Sequence, residues 1–226
     1  LGDWVEEATL SSGVGLYGFS VAAAGDLVAV GGADTVEVFR SQANGWSLEA
    51  SLSSPAGAGG LFGISVAMDE DRLVVGSWLD GAVATNAGAA YVYHRMATSW
   101  VYDDVLRAAD GAQGDFFGGA VAVVQDRILV GAHGDDDAGE SSGSAYLFEM
   151  ENGGWQQQQK LVAMGGNAWD GHGGSVAVTP TAAIVGASNG DGATVDSGAA
   201  YVTFLAAPVG ALLDVVPGRA TANYAA

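Results

Sequence analysis

One six-residue phrase returns four times along the 226 residues: Tyr17-Gly18-Phe19-Ser20-Val21-Ala22, Phe62-Gly63-Ile64-Ser65-Val66-Ala67, Phe117-Gly118-Gly119-Ala120-Val121-Ala122 and His172-Gly173-Gly174-Ser175-Val176-Ala177. The shared glycine stands at 18, 63, 118 and 173, at intervals of 45, 55 and 55 residues. Repetition at this period means that one supersecondary unit is stacked on copies of itself, because a unit so small cannot bury its apolar face alone. The shorter first interval marks a first unit that has lost a loop.

Each phrase leads through a polar turn into a second apolar run (27–30, 73–75, 128–130, 184–185), closed by Gly31, Gly76, Gly131 and Gly186. A third run follows at 35–39, 89–93, 144–148 and 199–202, and a fourth opens with Trp46, Trp100 or Trp155 and ends at Leu52, Leu106 or Leu161. These short segments are rich in β-branched and aromatic residues and are bounded by Gly, Asp, Asn and Ser, which reads as four strands per unit. No stretch of useful length has a helical period. The expected fold is an all-β propeller of four-stranded antiparallel blades, about four repeats over residues 1–205, with 206–226 as a C-terminal tail. A parallel β-helix is the rival, and its shorter coils lack the four-strand rhythm. Trp4-Val5-Glu6-Glu7-Ala8-Thr9-Leu10 reads as a stray fourth strand, while the last unit has none of its own. Pairing 4–10 with 199–204 would close a ring and remove an open sheet edge; a ring of four blades is small, and the chain equally reads as one part of a larger propeller or assembly.

The recurring phrase, the Val-Gly-Ala/Ser step and the Ser/Ala-Gly-Ala-Ala-Tyr-Val step, in that order over about residues 4–204, resemble the FG-GAP repeats that form the blades of the integrin α-subunit N-terminal propeller. The resemblance implies a non-enzymatic extracellular or cell-surface module for adhesion or recognition. One departure bears on calcium. The resemblance places a calcium loop between the first and second strands, but here that connection is only Met68-Asp69-Glu70-Asp71-Arg72, Val124-Gln125-Asp126-Arg127 or Val178-Thr179-Pro180-Thr181, too short for a cage.

Composition narrows the partners. With 26 acidic and 7 basic residues the net charge is −19, which argues against nucleic acid and anionic membranes and leaves cations, cationic proteins and neutral glycans. There is no Cys, so disulfides and thiolate metal sites are excluded. No run of about 20 apolar residues offers membrane insertion, and no signal peptide is visible. The start at Leu1 without a Met reads as a processed or truncated end.

If the strands alternate in direction, the long connections 78–88, 133–143 and 189–198 share one face with 55–61, 110–116 and 165–171. Loops on a rigid scaffold are where binding concentrates. That face collects Asp80, Asp110, Asp115, Asp135, Asp136, Asp137, Glu140, Asp170, Asp191 and Asp196, together with Trp78 and Trp169. The opposite face holds Arg40, Arg72, Arg95 and Arg127 on short turns. Within Asp135-Asp136-Asp137-Ala138-Gly139-Glu140, adjacent carboxylates repel unless solvated or neutralised, and hard cations such as Ca²⁺ take several such oxygens. The candidate metal residues are therefore Asp135, Asp136, Asp137 and Glu140, against the plain reading of a solvated acidic loop. The candidate contacts for a protein or glycan partner are Trp78, Asp115, Trp169, Asp191 and Asp196. Trp4, Trp46, Trp100 and Trp155 occupy one repeat position and read as packing residues. His133, Asp135, Ser141 and Ser142 invite a hydrolase reading, but nothing in the sequence joins a nucleophile, an orienting acid and an oxyanion hole. A structural subunit of a larger multi-chain assembly stays open as the alternative, with the apolar stretch 206–216 as a contact.

Overall fold

The computed structural model describes residues 6–57, 59–192 and 194–205. These residues form four antiparallel sheets, each continuous in sequence. Blade one contains β1 (Ser20–Ala24), β2 (Leu27–Gly32), β3 (Thr35–Gln42) and β4 (Gly45–Ser53); blade two contains β5 (Ser65–Asp69), β6 (Arg72–Ser77), β7 (Ala89–Met96) and β8 (Ser99–Leu106). Blade three contains β9 (Ala120–Val124), β10 (Arg127–Ala132), β11 (Ser144–Glu151) and β12 (Gly154–Leu161). The fourth sheet has three strands, β13 (His172–Thr179), β14 (Ala182–Ala187) and β15 (Ala199–Phe204). Each complete blade slips register once between its third and fourth strands, at Val38/Phe39, Val92/Tyr93 and Leu147/Phe148, so the repeat extends to its bulges.

Blades stack through the two faces of their strands. On β6, Leu73 and Val75 enter a core with Leu27, Ala29, Val36 and Val38 of blade one, while Val74 between them enters a core with Ile128, Val130 and Tyr146 of blade three. A third core joins Leu129 and Leu147 to Ala183 and Val185. Each fully buried aliphatic side chain contributes about 1.5–3 kcal/mol. The aromatic of the phrase is the wedge, since Phe62 lies against Tyr91 and Tyr93 and Phe117 against Tyr146 and Phe148, at ring separations of 5.5–6.2 Å. Strand-two glycines allow the close approach. A Cβ on Gly76 would stand 1.9 Å from the carbonyl oxygen of Gly118 in the next blade.

Ring closure by the leading strand is not seen among the described residues. Residues 6–10 form no strand, and β15 is the edge of its sheet among the described residues; Trp4 and Val5 lie outside them. The Thr9 hydroxyl donates to the Glu6 carboxylate at 2.9 Å, three residues back. The first strands β1, β5, β9 and β13 pack in succession, but β13 does not return to pack broadly on β1. Among the described residues the four blades follow one another in an arc that does not close. The stretch 206–226, expected as a tail, lies outside the described residues.

Candidate binding face

Both sets of long connections emerge together and are tied to one another by backbone hydrogen bonds. Leu79 N–H donates to Gly60, Phe116 to Asn86, Phe117 to Ala87, Gly134 to Asp115, Gly171 to Ser141, His172 to Ser142 and Asn189 to Asp170, all at 2.9–3.2 Å. These bonds join the loop before a blade to the loop within that blade or within the preceding one, which makes a continuous, braced surface.

The acidic residues on this surface fall into two groups. Asp80, Asp115, Asp135 and Asp170 are buried, and their carboxylates serve the loops themselves. Asp80 accepts from the Tyr91 hydroxyl at 2.5 Å, and Asp135 accepts from the Tyr146 hydroxyl at 2.8 Å, the same pair one repeat later. Asp115 accepts from Ala112 N–H and Asp170 from Asn167 N–H, both at 2.7 Å. Burial pushes the Asp115 carboxyl above its ordinary value, and burial with the Asp80 bond pushes the Tyr91 phenol up to about 12. Asp115, expected to meet a partner, is therefore withdrawn from the contact surface. Asp136, Asp137, Glu140, Asp191 and Asp196 remain exposed. Asp191 ties two loops together, accepting from Asn167 of the preceding connection at 3.0 Å and from Asp196 N–H of its own loop at 2.9 Å.

The two tryptophans outside the repeat pattern differ. Trp78 is partly buried, its ring 5.7 Å from Phe116 and 5.6 Å from His133, which itself stacks on Phe116 at 5.2 Å. Trp169 is 57% exposed. Its backbone has φ +72°, and it stands where the two preceding loops have Gly59 and Gly114, with φ +102° and +84°. The N–H of Trp169 donates to Glu140 at 2.7 Å and its carbonyl accepts from Asn189 at 3.1 Å. Met164 and Val195 are also exposed.

At the metal candidate the structure brings together Asp110, Asp135 and Asp137, whose oxygens lie within 4.8 Å of one another. Asp136 instead accepts from Ser141 N–H at 2.7 Å. The donor set suits a hard cation, but the Lys160 ammonium already bonds all three carboxylates, at 2.8, 2.8 and 2.5 Å. Burial opposes the Asp135 charge, yet bonds from Lys160 and Tyr146 hold its carboxyl below the usual range. Burial likewise opposes the Lys160 charge, and the three carboxylates overcome it, so its pKa is raised. The lone Lys was the residue missing from the sequence reading of this site. It stands 25 residues from Asp135, and no spacing rule connects them. The hydrolase constellation does not assemble, because His133 faces aromatics, Asp135 serves Tyr146, Ser144 and Lys160, and Ser142 donates to the Asp135 carbonyl.

A sequence profile described as FG-GAP repeat matches residues 46–93, 100–148 and 155–203, well over half of the chain. The chain belongs to the FG-GAP repeat family. Each FG-GAP match begins on the Trp of a fourth strand and ends in the third strand of the next blade, so the sequence unit straddles a blade junction. Among solved structures, the arc is similar to the crystal structure of Saccharomyces cerevisiae Sqt1, with a TM-score of 0.51 and 12% identity over 78% of this chain. The match spans 44% of that protein, and the likeness is one of fold alone. No curated protein matches.

On the short-turn face of these FG-GAP blades the arginines are ion-paired across or within blades. Arg40 and Arg95 converge on Glu49, which also accepts from the Trp100 indole at 3.1 Å. Arg72 reaches Asp126 and lies over the Trp155 ring, and Arg127 bonds Glu149 and the Pro180 carbonyl. Their charges are spent on the fold.

Proposed function

We propose that this FG-GAP arc is a non-enzymatic extracellular or cell-surface recognition module that binds a protein or glycan through the long-loop face, centred on Trp169. The observation that carries this reading is an exposed indole at a glycine position of the repeat. A non-glycine residue held at positive φ costs about 1 kcal/mol or more, and an indole 57% exposed recovers little of that by burial. Its backbone is fixed by the flanking loops, so it presents a flat ring at low entropic cost, the property that makes Trp common at binding hot spots. The exposed Asp136, Glu140, Asp191 and Asp196 belong to the same set of long connections and favour a cationic or hydroxyl-rich partner. Calcium enters the same face only by displacing Lys160 from Asp110, Asp135 and Asp137.

The test is Trp169→Gly, which restores the glycine of the other loops. Saturable binding to an immobilised glycan panel or to a basic test protein should fall at least about tenfold, with the melting temperature unchanged or higher. Equal binding by wild type and variant would overturn the assignment. The alternative, a structural subunit of a larger assembly, draws support from the faces of the first and fourth sheets that no described residue covers.

A further inference from the structure

The same parts meet at all three junctions inside the arc. The aromatic-Gly pair of the later blade, Phe62-Gly63, Phe117-Gly118 or His172-Gly173, enters the earlier blade closely. A Cβ on that blade's Gly31, Gly76 or Gly131 would lie 2.2, 1.9 or 1.9 Å from the carbonyl oxygen of the incoming glycine. Ser20 and Ser65 donate to that carbonyl at 2.7 and 2.8 Å. Beneath it, the apolar pair on strands two and three is sealed: Ala29 with Val38, Val74 with Val92, and Leu129 with Leu147 are 0–4% exposed.

The fourth blade repeats the receiving parts, and no described residue enters them. Ser175, Gly186 and Gly198 stand at the places of Ser65, Gly76 and Gly88, around a cavity of about 470 Å³. A Cβ on Gly186 would meet only Ser175 of its own blade. Ile184 and Val202, paired across the sheet at the place of Val74 and Val92, are 37% and 57% exposed. At the other end, blade one carries the entering parts. Gly18 has φ +83°, against +98°, +88° and +93° at Gly63, Gly118 and Gly173, and its N–H bonds the Gly31 carbonyl at 2.9 Å as Gly63 bonds Gly76. Val21 is 70% exposed, whereas its counterparts Val66, Val121 and Val176 pack into the cores.

We propose that the exit face of the fourth blade binds the Tyr17-Gly18 phrase of a second copy of this chain, head to tail, as a further instance of the junction the chain makes three times internally. Among the described residues the two end faces do not pack broadly on each other, and their parts match those of the internal junctions place by place. The Ser175 hydroxyl donates to the incoming Gly18 carbonyl, Gly186 supplies the clearance, and Val21 and Tyr17 cover Ile184 and Val202. The contact is heterologous, so each copy offers one entering and one receiving half, and copies add until the ends meet. This inference rests on the structural-subunit reading and is independent of Trp169.

The test is the mass of the full 226-residue chain by sedimentation across concentration and salt. Multiples of 22.6 kDa are expected, favoured by higher salt because each copy carries −19. Val202→Glu and Val21→Glu, both at exposed positions, should each leave a folded monomer by circular dichroism. An equimolar mixture of the two should recover a dimer and nothing larger, since it contains one working junction. Trp169→Gly should assemble as wild type does. A wild-type monomer at every concentration and salt, or assembly that survives either Glu variant, would overturn the proposal.

Discussion

Replacing Lys160 with Met probes the charge cluster of the third blade most directly. The ammonium serves three carboxylates, of which Asp135 is 4% exposed while Asp110 and Asp137 are 44% and 66% exposed. Truncating one partner of a buried ion pair costs about 3–5 kcal/mol, whereas solvated pairs contribute under about 1 kcal/mol each. Lys160 is itself partly solvated, so a loss of about 2–3 kcal/mol is expected, dominated by Asp135, or about 4–12 °C in melting temperature for a chain of this size. The pH dependence follows from the direction of each shift. In the wild type the Asp135 carboxyl is held below its unfolded value of about 3.9, so its contribution is present above that pH and is lost as pH falls through the folded value. Without Lys160, burial and the neighbouring carboxylates raise it instead, and the cost then grows as pH rises. The deficit of the variant should therefore shrink between pH 7 and about pH 4.5. Three carboxylates freed of the ammonium should also take calcium, which at a hundredfold excess over Kd returns about 2.7 kcal/mol. Differential scanning calorimetry at both pH values, with calcium and with chelator, reads all of these. A variant that melts with wild type at pH 7, or whose deficit widens toward acid, would refute the reasoning.

Three further outcomes are expected. Glu49→Ala removes a carboxylate that is 5% exposed and shared by Arg40, Arg95 and Trp100; urea unfolding should show a loss of about 2–3 kcal/mol, discounted from the fully buried case because the arginines are partly solvated, with Glu49→Gln recovering part of it. Gly131→Ala should cost about 1–3 kcal/mol or more, because its Cβ meets backbone of the next blade, while Gly186→Ala at the same repeat position meets only a serine hydroxyl and should leave monomer stability nearly unchanged. Burial lowers the pKa of His172 and of His133. Folding stability should accordingly be full above their unfolded value near about 6.5 and fall as pH drops below it, and His172→Phe, the residue of two other repeats, should flatten part of that slope in thermal melts.

The sequence by itself determined the blade. Short apolar runs closed by glycine, at intervals of 45, 55 and 55, are enough to place the strands, because alternation along a strand and the clearance of a missing Cβ are local properties. It also determined which loops share a face, since strand direction alternates within an antiparallel sheet. Even the buried role of Asp80 and Asp135 was legible in principle, as each precedes a Tyr by eleven residues in successive repeats. Only the tertiary structure decided where the charges and edges ended up. Lys160 joins Asp110, Asp135 and Asp137 across 23 to 50 residues of sequence, through contacts between strands and loops that no periodicity reports. Trp169 is an exposed platform while Trp78 is packed, because one loop turns its ring outward at positive φ and the other finds Phe116 and His133 beneath it. The leading residues 6–10 do not complete the last sheet, and the arc stays open. Each junction is set by glycine and carbonyl atoms of successive blades, dozens of residues apart, which no single repeat reports.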